Sequence, residues 1–208
     1  MLPFVSCCLR PNMQSSSNPK PDVFQRLKDN TADIHEQVEQ KVRIFSPQFD
    51  VQAYTRLLTR FYGFWVPLEE ELCHLPELRN PALHLEFRLK AHLLEVDLRF
   101  FGIDPTVVPV CSSLPVVRTF GRALGCLYVL EGSTLGARFI AKHISVQLNI
   151  DEDSGGLFFN AYGAAVGERW LAFKAFVISQ ANIWTEEELL SAARETFERL
   201  NDWMEPLD

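Results

Sequence analysis

No stretch of this chain reaches the roughly 18 consecutive apolar residues that a membrane helix needs. The start does not read as a signal peptide either, because MLPFVSCCLRPNMQSSSNPKP lacks a basic opening and its apolar run is too short. Cysteine is scarce. The five residues Cys7, Cys8, Cys73, Cys111 and Cys126 are odd in number and show no C-x-x-C spacing. That argues against a disulfide framework or zinc knuckle and for a reducing, cytoplasmic setting. Cys73 and Cys126 read as small buried apolar residues. A basic balance is also missing: the net charge is -7, so neither a nucleic acid nor a membrane is an expected partner. Period-two alternation is rare, which disfavours a sheet, and the best strand candidate, VVPV at 107–110, is interrupted by proline. No repeat of 20–50 residues occurs, and no G-x-G-x-x-G follows a strand to suggest a nucleotide fold.

What is present is helical periodicity along one domain-sized chain of 208 residues. Residues 1–21, rich in Ser, Pro and Asn, read as a disordered tail in which Met13 is an alternative start, and 22–208 read as an all-α domain. Asp22 is placed to cap a first helix to about Gln40, and Asp50 a second in which Pro67 sits as a kink candidate. A third helix is expected after Pro81, with Leu85, Leu89, Leu93 and Val96 inward. A long fourth runs from about Pro115 to Leu148, and a fifth from about Phe159 to Gln180. Thr185 with Glu188 forms a capping-box pattern for a sixth through Trp203.

Four of the five histidines, His74, His84, His92 and His143, have bland surface or helix-end readings. His35 differs: following Ile34 and preceding Val38 by three, it falls at the edge of the buried face of the first helix. A partly buried histidine with a satisfied hydrogen bond accounts for it. So does a metal ligand, since a neutral imidazole is the commonest axial ligand to haem iron. Gly132 and Gly136 lie four apart on one helix face, each at a cost of about 1 kcal/mol relative to alanine. Either another helix packs there closely, or a flat ligand lies on bare backbone. Lys28 precedes His35 by seven residues, two turns, and so projects from nearly the same face about 10 Å away. Its ammonium suits a carboxylate, and the Tyr128 hydroxyl, one turn before Gly132, suits a second carboxylate oxygen.

These runs resemble one family. RLKDNTADIHEQVE (26–39) resembles the first helix of haem oxygenases, where a lysine precedes the proximal histidine by seven. LYVLEGSTLGARFI (127–140) resembles their distal helix, especially the bacterial G-S-x-L-G-A form. FFNAYGAAVGERWLAF (158–173) resembles a later helix of the bacteriophytochrome-associated branch. The resemblance implies a single-domain helical bundle with haem between the first helix and a kinked, glycine-containing distal helix. It implies that His35 binds iron, that Lys28 and Tyr128 hold the propionates, and that Gly132 and Gly136 line the distal side. Ser133 stands where some relatives carry an aspartate. Haem would serve as substrate and cofactor, with O2 and an external electron donor of ferredoxin or reductase type. Biliverdin, carbon monoxide and ferrous iron would be the products, serving either a bacteriophytochrome chromophore or iron acquisition, of which the likeness of 158–173 favours the former. A non-catalytic haem carrier or sensor on the same fold is the alternative. A di-iron site would want paired E-x-x-H motifs, of which only Glu71–His74 occurs, and a thiaminase-like site would draw on Cys126.

Overall fold

The computed structural model describes residues 22–204, so the expected tail at 1–21 lies outside the described residues. Six α-helices carry the fold, and no strand occurs among the described residues. Helix α1 (Val23–Val42) buries Phe24, Leu27, Ile34 and Val38, the stripe its periodicity announces. Asp22 precedes it, although its side chain accepts no capping bond. Helix α2 (Val51–His74) is capped by Asp50, whose carboxylate accepts the Ala53 N–H at 2.8 Å. Pro67 lies inside α2 and has no N–H to offer the Gly63 carbonyl one turn back. The Cys111 N–H takes that carbonyl instead, at 2.8 Å. The strand candidate at 107–110 therefore belongs to an irregular segment docked on α2. Gly63 is required there, because a Cβ would stand 2.4 Å from the Pro109 carbonyl oxygen.

The expected third helix starts late. Residues 76–79 and 85–87 form 3-10 turns, and α3 spans only Ala91–Phe100. It buries Leu94, Asp97 and Leu98, while Val96, expected inward, is exposed. Its first turn is capped from another helix: the Glu69 carboxylate of α2 accepts the N–H of Lys90 at 2.7 Å and of Ala91 at 3.1 Å. Periodicity along one segment carries no trace of a cap supplied 21 residues away. Helix α4 (Phe120–Leu148) runs helically through all its glycines. Residues 158–160 and 163–165 are 3-10 turns before α5 (Val166–Ser179), and α6 (Glu186–Trp203) begins with the expected Thr185–Glu188 capping box. Cys126 is buried as expected, whereas Cys73, at the end of α2, is exposed.

Helix α6 packs along both α4 and α1. Toward α4 the approach is close, since a Cβ on Gly125 would lie 2.5 Å from the Leu189 carbonyl oxygen and 2.8 Å from the Ala192 Cβ. Toward α1 it is polar. Arg194 grips Asp33 with two bonds of 2.9 Å, holding that carboxyl down at a pKa of about 2, and Lys41 donates to the Asn201 carbonyl at 2.6 Å. Gly125→Ala is expected to lose about 1–3 kcal/mol through overpacking at α6, read as a lower urea midpoint at unchanged m-value.

Candidate functional site

Helices α1 and α4 flank a cavity of about 780 Å³. His35, Val38, Glu39 and Val42 line it from α1, and Val129, Gly132, Ser133 and Gly136 line it from α4. Phe61 and Trp65 of α2, with Phe158 and Phe159, form an aromatic inner wall. Buried polar groups hold that wall in place. The Asp97 carboxylate accepts the N–H groups of Leu157 and Phe158 at 2.9 and 2.8 Å, and the Tyr54 hydroxyl donates to the Gly155 carbonyl at 2.8 Å.

The His35 side chain is half exposed, at 50 %, and its ring stands edge-on to Phe197 of α6 with centroids 5.2 Å apart. Nδ1 lies 3.7 Å from Glu39 Oε1, one helical turn on. A carboxylate on that side favours the tautomer with the proton on Nδ1 and leaves Nε2 with its lone pair.

The glycines of α4 divide into two sets. Gly121 and Gly125 meet α6 and its approach closely, as helix packing would require. At Gly136 an added Cβ would meet nothing within 4 Å, and at Gly132 only the Trp170 ring edge at 4.0 Å. Gly136 therefore presents bare backbone to open space, while Gly132 has room for a Cβ at ordinary contact distance from Trp170 of α5. Ser133 shares the wall, and its hydroxyl donates to the Leu130 carbonyl at 2.8 Å, turned back onto its own helix.

Lys28 and Tyr128 are not part of the cavity wall. Lys28 is exposed on α1. The Tyr128 ring sits between Phe24 of α1 and Trp170 of α5, at 6.4 and 5.8 Å, and burial pushes its hydroxyl pKa up while Thr31 beside it pulls it down. The other histidines do not line the cavity: His74, His84 and His92 are exposed, and His143 packs against Phe45. The Cys126 thiol is buried, accepts from the Thr196 hydroxyl at 3.3 Å and has its pKa pushed up to about 11 by burial, so it is no nucleophile.

One cluster beside the cavity was not anticipated. Glu131, immediately before Gly132, is buried and receives Arg88 Nη1 at 2.5 Å, Lys90 Nζ at 2.7 Å and the Tyr162 hydroxyl at 2.7 Å. Lys90 reaches the cavity wall. Each of these charges looks solvent-facing in its own segment, and only contact across 41 to 43 residues buries them together. Glu39 was legible in principle, four residues after His35 and so one turn along the same face.

An aromatic-walled cavity lined by an imidazole from α1 and by glycine backbone from α4 fits a flat, metal-bearing ring, for which His35 offers a nitrogen donor. The class so defined is a helical protein with a cavity between two helices suited to a flat ring. The sequence profile described as Heme oxygenase matches residues 22–107. Heme oxygenase PigA of Pseudomonas aeruginosa is 29 % identical over 187 residues, covering 87 % of this chain and 90 % of that protein. The crystal structure of NO- and CO-bound heme oxygenase from Neisseria meningitidis superposes with a TM-score of 0.72 at 26 % identity, covering 88 % of this chain and 89 % of that one. The chain thus has the fold of haem oxygenases and is similar to them over most of its length.

Because nothing meets a Cβ at Gly136, Gly136→Ala is expected to fold with stability unchanged or raised by up to about 1 kcal/mol through helix propensity. Haem titration should nevertheless show weakened binding or a perturbed spectrum. Destabilisation in urea comparable to that of Gly125→Ala would mean that this face is packed.

Proposed function

We propose that this chain cleaves haem to biliverdin, carbon monoxide and ferrous iron, using O2 and electrons from an external donor of ferredoxin or reductase type. The observation that carries this reading is that His35 and the open Gly132–Gly136 backbone line one cavity from opposite helices. Bound haem would supply oxygen activation and the ring that is opened.

The residues of the chain shape that outcome. His35 would hold the iron through Nε2, with the Glu39 carboxylate 3.7 Å from Nδ1 on the other side of the imidazole. A neutral imidazole gives less electron push toward O–O cleavage than a thiolate. Across the cavity, glycine backbone places no acidic side chain over the iron, and Ser133 keeps its hydroxyl on Leu130. That side of the cavity therefore offers no strong general acid, a lining that would suit ring oxidation rather than the acid-assisted O–O cleavage of peroxidases. The aromatic inner wall of Phe61, Trp65, Phe158 and Phe159 would bound the ring on the inner side. Lys28, two turns from His35 on α1, and the hydroxyl of Tyr128 are the assigned partners of the propionates, setting in-plane rotation of the ring. The likeness of 158–173 to the bacteriophytochrome-associated branch supports a bacteriophytochrome as recipient of the product.

Adding haemin to the full chain is expected to give a Soret band, and reductant with O2 to give the biliverdin spectrum. His35→Ala should shift the band and lower turnover by at least a hundredfold, about 2.7 kcal/mol of barrier. A variant with both unchanged would remove His35 from the iron. A Soret band with no ring opening would identify a haem carrier or sensor. Lys28→Ala is expected to broaden the isomer mixture more than it weakens haem binding, because a rotational preference of about 1.4 kcal/mol already gives a tenfold bias. Chromatography showing a single unchanged isomer would remove Lys28 from that role.

A further inference from the structure

Lys90 is buried in the cavity wall with a donor to spare. Its side chain is 3 % exposed. Nζ donates to the Arg88 carbonyl at 2.6 Å and to Glu131 Oε1 at 2.7 Å, while the Tyr162 ring covers it at 4.6 Å. An ammonium carries three hydrogens, and the third has no oxygen acceptor among the described residues. Trp65, in the same wall, has a buried Nε1 with no acceptor. Trp65 stands one turn before Glu69, the carboxylate that accepts the Lys90 N–H. Buried donors are seldom left unpaired, and a polar recess opening on a cavity takes water. Lys90 and Trp65 line the same cavity as Gly132 and Gly136, so this recess opens on the space beside the glycine backbone.

We propose that Lys90 is a positioning residue, whose ammonium, anchored by Glu131 and assisted by the Trp65 N–H, holds the water that stands against the Gly132–Gly136 face when haem is bound. The inference rests on the haem-cleaving reading above and adds to it the source of order in the distal solvent. The cavity would otherwise offer that solvent mainly apolar walls and a serine already spent on its own helix. The charges facing Lys90 are Glu131 of α4, Glu69 of α2 and the neighbouring Arg88, with Tyr162 over Nζ and Arg169 beyond that ring. Burial pulls the Lys90 pKa down and Glu131 pulls it back up. A fixed donor at the water oxygen makes that water more acidic, so losing the donor moves its titration to higher pH.

The test uses the full chain loaded with ferric haem and follows the Soret band through a pH titration. Lys90→Met keeps the Arg88–Glu131 pair. It is expected to bind haem normally, to raise the titration midpoint by about one unit, the effect of a lost nearby cation, and to slow biliverdin formation about tenfold. Lys90→Arg should restore most of the midpoint. A Lys90→Met protein that binds haem and titrates like wild type overturns the proposal. Should Lys90→Met fail to fold, Trp65→Phe, which leaves the ion cluster intact, decides: a midpoint raised by a few tenths of a unit supports the role, and an unmoved one overturns it. Absence of a Soret band in the wild type would instead overturn the haem reading and the inference with it.

Discussion

The close seating of α4 on α6 through Gly121 and Gly125 is the constraint on which the rest of this structure depends. Side-chain-free backbone at those positions lets α6 approach α4 until the Leu189 carbonyl lies where a Cβ would be. The same helix α6 holds α1 through Arg194–Asp33 and Lys41–Asn201 and places Phe197 against His35. One helix thus sets the positions of both walls. Two and three turns further along α4, where α6 no longer reaches, Gly132 and Gly136 lack the same side chain without a close neighbour: Gly132 has only the Trp170 ring edge at 4.0 Å, and Gly136 faces open space.

Buried charges do the remaining positioning, each by spending its hydrogen bonds on backbone that helices and turns leave unpaired. Glu69 starts α3, and Asp97 pins the turn that carries Phe158 and Phe159 into the wall. Burial pushes the pKa of both carboxyls up, and the backbone N–H bonds they accept work in the opposite direction. Glu131 does the same work with side chains, balancing Arg88 and Lys90 beside the glycine face. These arrangements make the inner side of the cavity rigid and leave its polarity concentrated at one place.

Much of the fold was legible in the chain. The stripe of α1, the Asp50 cap, the length of α4 and the capping box of α6 are local, and each appears near the expected boundaries. Errors fell where a segment borrows its partners. The region after Pro81 has helical spacing, yet Arg88 and Lys90 are drawn inward by Glu131, so the helix waits until Ala91 and its face turns from Val96 to Leu94 and Leu98. The start of α5 was likewise delayed, from Phe159 to Val166.

By itself the sequence determined the all-α class, the candidate imidazole on the opening helix and the unusual glycine pair, because helical period and residue type are local properties. Whether Gly132 and Gly136 receive a helix or face open space was undetermined, since both readings ask for the same missing Cβ. Only the tertiary structure decided it, by sending α6 to Gly121 and Gly125 and leaving the next turns uncovered. The same holds for Lys90: a charge is hidden from water by what folds over it, and that cover comes from parts of the chain far removed in sequence.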